Sequence, residues 1–330
     1  MSRKESLKKK GNIFISNRII RSFNQKQTGK TFSHMWGHSS TYNNPSNTQL
    51  KRDLNEFKRQ SNNSIQKFLS NYFKKNKLKN EIKFLDVGCG HGYTFKILFS
   101  KYIPKIKYIG IDLHDRLQST YRDLYPTFAK YNKRPILVKT SMNKIPNVQL
   151  LRNLDLAFAE GTIHHSESVK SAIKEIRKTL KKNGLFIFWI INQQMPMRKI
   201  TDIFFRNYFK KVNNIKKIKN EIKEIARLSI AFGKTLKNKK ITLKSNIKSL
   251  NIKAGNYRLQ EILYDYIIKF YYSKSSNLTR SSLQLFDWFM PSFYHQTSSK
   301  DLKKILKVNK FKIIKHIEKT NGHFVICKKI

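Results

Sequence analysis

Apolar residues in the middle of the chain follow two rhythms. Short unbroken runs at Phe84–Val87, Tyr108–Ile111, Ile136–Val138 and Leu185–Ile191 read as buried strands. Between them lie stretches with helical spacing: one through Leu98, one from Asp115 to about Lys130 and one from Ser166 to Lys181. The last sets Val169, Ala172, Ile173, Ile176 and Leu180 on one face and lysines on the other, with Asn183-Gly184 as its stop. Strands alternating with helices predict a parallel sheet covered on both sides.

The flanks depart from that alternation. Roughly a hundred residues, 193–297, follow Ile191 before the next recognisable strand, far more than a connecting loop needs. This insertion is lysine-rich and helical in pattern, and it interleaves Tyr264, Tyr266, Tyr271 and Tyr272 with Ile262, Ile267 and Ile268. The stripe predicts the core of a helical cap; the rival reading is a stacking platform for nucleic-acid bases. An insertion at this edge is expected to overhang the carboxyl ends of the strands, where ligands bind. Beyond it, Ser298 with Asp301 makes a capping box opening a helix to about Val308. Phe311–Ile317 and His323–Cys327, joined through Asn321-Gly322, predict a hairpin. At the other end, residues 1–30 are basic and predict a mobile tail. Phe32 and Trp36 then lie one helical turn apart, and Leu50–Leu78 predicts a long helix interrupted at Ser61-Asn62-Asn63. No apolar segment has the length of a signal-peptide core or a membrane span, so a cytoplasmic protein without a transmembrane segment is expected.

Composition changes the picture in two ways. The 330 residues carry 68 basic and 20 acidic side chains, a net charge of +48. That field favours nucleic acid, anionic lipid surfaces or acidic substrates. An AT-rich coding sequence accounts for abundant Lys, Asn and Ile, but not for the scarcity of acids. The two cysteines, Cys89 and Cys327, offer neither a disulfide framework nor a metal site. Cys89 reads as a small residue in a tight turn.

That turn carries the candidate chemistry. The run Phe84–Val87 ends in Gly88, Gly90 and Gly92, and a helical pattern follows at once, so a ligand is expected against the main chain. The spacing G-x-G-x-G is not the G-x-G-x-x-G that seats a pyrophosphate on a helix N-terminus. Asp86, two residues before the first glycine, repels phosphate and suits a cationic ligand. Asp112, about 20 residues beyond the glycines at the end of the next strand, is placed to accept hydrogen bonds from both ribose hydroxyls.

Together these residues resemble the class I S-adenosylmethionine (SAM)-dependent methyltransferases, in the type-11 methyltransferase pattern. Leu154-Asp-Leu-Ala-Phe-Ala-Glu160-Gly161-Thr-Ile-His164-His165 resembles the family's fourth-strand motif, and Ala172–Ile190 its following helix and strand. Thr31-Phe-Ser-His-Met-Trp36 resembles a "TFgyeW" segment expected to fold over the cofactor cleft. Phe286-Asp-Trp-Phe-Met-Pro-Ser-Phe-Tyr294-His295-Gln296 resembles a "DwlsPkYqhhht" segment of the same subgroup. The resemblance implies a Rossmann-like, seven-stranded class I methyltransferase α/β sheet with an antiparallel last strand and a helical insertion. It divides the chain into a basic tail (1–30), a lid and helix (31–80), a SAM-binding core (81–192), a helical substrate-side insertion (193–297) and a C-terminal helix and hairpin (298–330).

The implied cofactor is SAM, with Asp86, Gly88, Cys89, Gly90, Gly92, Asp112, Leu113, Ser141, Met142 and Glu160 around it. Ser141 stands where an acid is expected to contact the adenine amino group, which leaves Met142 to pack on the ring and supply its backbone amide. Trp36 and Tyr294 are implied on the acceptor side. A sulfonium is already an activated methyl donor, so the protein has to align the acceptor and remove its proton. His165, then His164 and His295, are the candidate bases. With His164 and His165 adjacent on an extended strand end, only one of them is expected to face the acceptor. The expected acceptor is a small molecule or a sugar- or lipid-linked group. The alternatives are a tRNA or rRNA methyltransferase that exploits the charge, and a SAM-binding pseudo-enzyme serving as a scaffold.

Overall fold

The computed structural model describes residues 5–17, 22–37, 47–61, 63–76, 81–212, 214–270, 272 and 277–330. The chain divides into two compact units, residues 1–191 with 292–330, and residues 192–291.

In the first unit the apolar runs form β3 (Ile82–Val87), β4 (Ile106–Asp112), β5 (Ile136–Lys139), β6 (Leu154–Glu160) and β7 (Leu180–Ile191), all parallel. The C-terminal hairpin, β10 (Phe311–Lys319) and β11 (Gly322–Lys329), adds β11 antiparallel to β7. Side chains alternate across the sheet as the strand repeat of two requires. Leu85, Val87, Ile109 and Ile111 pack on one face with α6 (Val169–Thr179) and α10 (Ser299–Val308). Ile82, Phe84, Tyr108 and Phe158 pack on the other with α3 (Ser64–Lys75), α4 (Tyr93–Phe99) and α5 (Leu117–Ala129). Phe84 is fully buried, with Phe95, Phe99 and Tyr108 rings 4.7–6.0 Å away. Truncating such a side chain to alanine costs about 3–5 kcal/mol.

With β1 (Leu7–Lys10) and β2 (Ile13–Ser16) at one edge, the strand order is β1-β2-β5-β4-β3-β6-β7-β11-β10. From β3 the chain steps to β4 and β5 on one side, then crosses to β6 and β7 on the other. The carboxyl end of β3 is therefore the switch point, where such sheets open a crevice.

The seven expected strands are present in the order β5-β4-β3-β6-β7-β11-β10, with β11 antiparallel, and the β1-β2 hairpin extends the sheet to nine, β2 pairing parallel with β5. Three expectations need correction. Residues 7–16 are thus no mobile tail: β5 would otherwise present an unpaired edge, and Ile13-Phe14-Ile15 supply a strand for it while Lys8, Lys9 and Lys10 stay in water. The boundary at residue 30 falls inside α1 (Phe23–Gly37), whereas the interruption expected at Ser61-Asn62-Asn63 does separate α2 (Asn47–Gln60) from α3. Finally, α6 stops at Thr179 and Leu180 already begins β7, so Asn183, at φ 62°, kinks a strand rather than ending a helix.

The second unit is built from α7 (Pro196–Lys211), α8 (Ile215–Leu236), a hairpin of β8 (Lys240–Leu243) and β9 (Gly255–Arg258), and α9 (Leu278–Phe289). Its interior holds a cationic and aromatic cluster. Arg198 bonds Asp202 at 3.0 Å, and Lys269 sits 3.4 Å from the Trp288 ring centre and donates to the Tyr264 hydroxyl at 2.5 Å. Burial first, then the nearby Arg198, hold the Lys269 ammonium well below its usual range. Tyr264 packs in this cluster and Tyr272 lies against Gly233, so both serve the unit's own packing; Tyr271 lies outside the described residues.

Candidate functional site

The glycine turn is held from four directions. Gly88 and Cys89 donate their N–H groups to Ile111 O at 2.8 and 3.1 Å, tying the end of β3 to the end of β4. Gly90 donates to Asp112 Oδ2 at 2.9 Å, and its carbonyl accepts from Thr120 Oγ1 at 2.8 Å and His114 Nε2 at 3.2 Å. Behind the turn, His91 Nδ1 meets Asp123 Oδ2 at 3.0 Å. Gly88 has φ 71°, and a Cβ there would lie 2.5 Å from the Thr162 side chain, whose hydroxyl donates to Val87 O at 3.0 Å. At this position the missing side chain makes room for another part of the protein, not for a ligand. Cys89 is buried, which pushes its thiol well above the ordinary range, in line with a structural rather than nucleophilic role.

Two carboxyls, buried Asp86 and half-buried Glu160, lie beside the turn on the same sheet face. Asp86 accepts from the Tyr108 hydroxyl at 2.9 Å, yet burial raises its pKa to about 7, with Asp112 and Glu160 adding to the rise. Glu160 is raised to about 6 by burial, against a hydrogen bond from Thr94 Oγ1 at 3.4 Å. No buried cation offsets Asp86 or Glu160 among the causes of these shifts, so a positively charged ligand suits this face. Asp112 is arranged differently. Its Oδ1 accepts from Leu113 N at 2.6 Å and His114 N at 3.2 Å, and its carboxylate, at the end of β4, is half-buried.

Helix α1 lies along the carboxyl ends of β4 and β5. Gln25 Nε2 donates to Ser141 Oγ, Gly29 approaches the Leu113 carbonyl, and Ser33 Oγ accepts from Asp115 N at 2.8 Å. Ser141 also accepts from Asn143 N at 3.1 Å, and Asn143 ties this loop to the one after β6 through Ser168 O and Glu167 N. Met142 packs against the core. Trp36 lies on α1, but its side chain is outside the described residues.

The histidines are not on an extended strand end. Ile163–His165 is a 3-10 turn, which brings the His164 and His165 rings to 4.2 Å, both buried. Strand alternation stops at Glu160, so the two side chains do not point to opposite faces of a strand as expected. His165 Nδ1 meets Phe293 O at 2.9 Å; a carbonyl only accepts, so Nδ1 carries the proton and the neutral ring keeps its lone pair on Nε2. Phe32 of α1 stands edge-on to His165 at 5.3 Å, and the Tyr294 ring is 6.4 Å away. His164 packs against Trp189. His295 braces the turn, with Nε2 on Ser166 O at 2.9 Å and its N–H on His164 O. Sequence reasoning gave no role to Gln25, Tyr108, His114, Thr120 and Thr162; Tyr108 and Thr162 lie within recognised stretches, but the partners of all five are brought in by the fold.

A mixed sheet with a central switch point, a glycine turn at that point and an acid ending the next strand define a class I methyltransferase fold. Residues 85–188 match the family model described as "Methyltransferase domain", so this stretch is a methyltransferase domain of the class whose cofactor is SAM. The malonyl-[acyl-carrier protein] O-methyltransferase of Legionella pneumophila is 31% identical over 106 residues, 32% of this chain and 35% of that protein. The uncharacterized protein MJ1252 of Methanocaldococcus jannaschii is 25% identical over 205 residues, 61% of this chain and 67% of that protein. The chain thus spans about a third of the length of the Legionella enzyme (35%). Among solved structures, the SAM-bound magnesium protoporphyrin IX methyltransferase of Synechocystis PCC 6803 aligns at 10% identity and TM-score 0.46, over 95% of this chain and 100% of that one. No helix among the described residues is long and apolar enough to cross a membrane.

Proposed function

We propose that the whole chain is a SAM-dependent methyltransferase acting on a small-molecule or sugar- or lipid-linked acceptor, with His165 as the base. In this reading Gly88, Cys89, Gly90 and Gly92 line the cofactor with their backbone. Asp112 accepts from the ribose hydroxyls, and Asp86 and Glu160 set the field around the cofactor's positive charge. Leu113, Ser141 and Met142 border the adenine. The fit rests on buried Asp86 and half-buried Glu160, neither ion-paired with a lysine or arginine among the described residues, and on the half-buried Asp112 carboxylate. Bound SAM supplies an electrophilic methyl group on a sulfonium.

The residues of the chain then orient the acceptor, exclude water and take its proton. The observation that carries the base assignment is the Nδ1 contact of His165 to Phe293 O, which leaves Nε2 unprotonated in the neutral ring. Thr162 links the two halves of the proposal: its hydroxyl holds Val87 O and its carbonyl holds His165 N at 2.9 Å. Tyr294, beside His165, is the acceptor-side aromatic, with Trp36 proposed as its partner. The Legionella relative is named an O-methyltransferase, which supports trying oxygen nucleophiles first.

Incubation with methyl-labelled SAM and a metabolite extract, followed by mass spectrometry, tests this reading. A labelled small or carrier-linked product is expected. Label found only in RNA at one defined position would replace it with the nucleic-acid alternative, and SAM binding without any product would favour the scaffold.

A further inference from the structure

Helix α1 turns a polar face inward, and two of its buried side-chain atoms have nothing to bond. Gln25 is 2% exposed; its Nε2 donates to Ser141, but its Oε1 has no hydrogen-bond partner among the described residues. Thr28, one turn on and 4% exposed, has an Oγ1 with no hydrogen-bond partner among the described residues. A buried polar atom left unbonded forfeits its hydration without return, and native proteins rarely keep one without a reason. Two on one helix, three residues apart, point to a ligand that completes them.

The position of that face narrows the chemistry. Gln25 contacts the loop after β5 at Ser141, and Gly29 contacts Leu113, the residue after Asp112. If the Asp112 carboxylate takes the ribose hydroxyls, the base attached to that ribose must extend along the ends of β4 and β5, under α1. Adenine there presents an exocyclic amino group, which is a donor. Gln25 Oε1 is an acceptor. The Ser141 hydroxyl fixes the orientation of the amide by taking Nε2–H while also accepting Asn143 N–H at 3.1 Å. Ser22 caps α1 by accepting Gln25 N–H at 3.3 Å, which leaves the glutamine side chain for this inward role.

We propose that Gln25, held by Ser141, reads the exocyclic amino group of adenine from the helix that covers the site, doing from outside the domain's 85–188 stretch what a carboxylate after β5 would otherwise do. This rests on the SAM site proposed above. Ser141 is then not a gap in adenine recognition but the support of the residue that performs it.

Functional-group ablation tests it. Binding of S-adenosylhomocysteine is compared by calorimetry with binding of S-inosylhomocysteine, in which an oxo group replaces the amino group. The wild-type chain is expected to prefer the adenosyl compound by about 10-fold, the worth of one hydrogen bond in a buried site. Gln25→Leu is expected to lose that preference, its affinity for the adenosyl compound falling to roughly that for the inosyl one. Gln25→Glu, which keeps an acceptor, is expected to restore the preference and serves as the folding control. Equal weakening of both ligands by Gln25→Leu, or no discrimination by the wild type, overturns the assignment while leaving the cofactor site intact. Failure of the wild type to bind either ligand overturns the cofactor site itself.

Discussion

The carboxylate of Asp112 accepts the backbone N–H of Gly90 at 2.9 Å, so the acid at the end of β4 fixes the turn at the end of β3. One residue is thus both a clamp on the glycine turn and a candidate ribose ligand: each carboxylate oxygen can accept about two hydrogen bonds, Oδ1 is taken by Leu113 N and His114 N, and Oδ2 keeps a position for a ribose hydroxyl. Asp112→Ala is expected to weaken SAM binding by about 1.5–3 kcal/mol, with Asp112→Asn between it and the wild type. Calorimetry checks this; unchanged affinity in the alanine variant would remove Asp112 from the ribose site.

Asp86 and Glu160 make the protein sensitive to pH in a stated direction. Their folded pKa values, about 7 and about 6, lie above the value near 4 expected of an unfolded carboxyl. The native state therefore binds more protons than the unfolded state between these limits. The stability that the neutral forms contribute is full below about pH 4 and is lost as pH rises through 6 to 7. Melting temperature should fall from pH 5 to pH 8, and Asp86→Asn should flatten the slope. SAM should stabilise the protein more at pH 8 than at pH 5.5, and by more than S-adenosylhomocysteine does, since only SAM carries the sulfonium charge.

His165→Ala is expected to keep SAM affinity while lowering turnover by about 10²-fold or more, the usual worth of a positioned base. The effect should appear in kcat, because the ring lies on the acceptor side of the proposed site. Equal turnover in both proteins would reject the assignment. His295, which braces the turn through Ser166 O, should act on stability when changed to Ala.

The N-terminal hairpin should matter to folding. Ile13 is 6% exposed within the core around α3, α4 and α5, so Ile13→Ala is expected to cost about 2–5 kcal/mol, readable by denaturant unfolding. Removing residues 5–17 would leave the β5 backbone unpaired and should promote aggregation.

The net charge of +48 should give nucleic-acid retention without sequence preference, falling steeply as salt rises. Tight binding of one defined RNA at physiological salt, with methylation at one position, would displace the small-acceptor proposal.

Local chemistry made much of this protein legible. The apolar runs at Phe84, Tyr108, Ile136 and Leu185 determine strands because a fully buried parallel strand needs no polar face, and the order of strand, glycine turn and acid determines where the sheet opens. The Ser298 cap on Asp301 N and the C-terminal hairpin were equally visible, since caps and tight turns depend on a few neighbouring residues; both occur, although the turn residues are Thr320 and Asn321 and Gly322 already begins β11. Tertiary structure alone decided the rest. A strand partner for β5 can come from anywhere in the chain, so the hairpin at residues 7–16 was masked by its own lysines. The geometry of His164 and His165 followed from a 3-10 turn that no local spacing signals. The meeting of Gln25 with Ser141, 116 residues apart, depends on how α1 packs across the sheet. Hydrogen bonds between distant side chains leave no period in a sequence, because nothing in the intervening residues has to change to accommodate them.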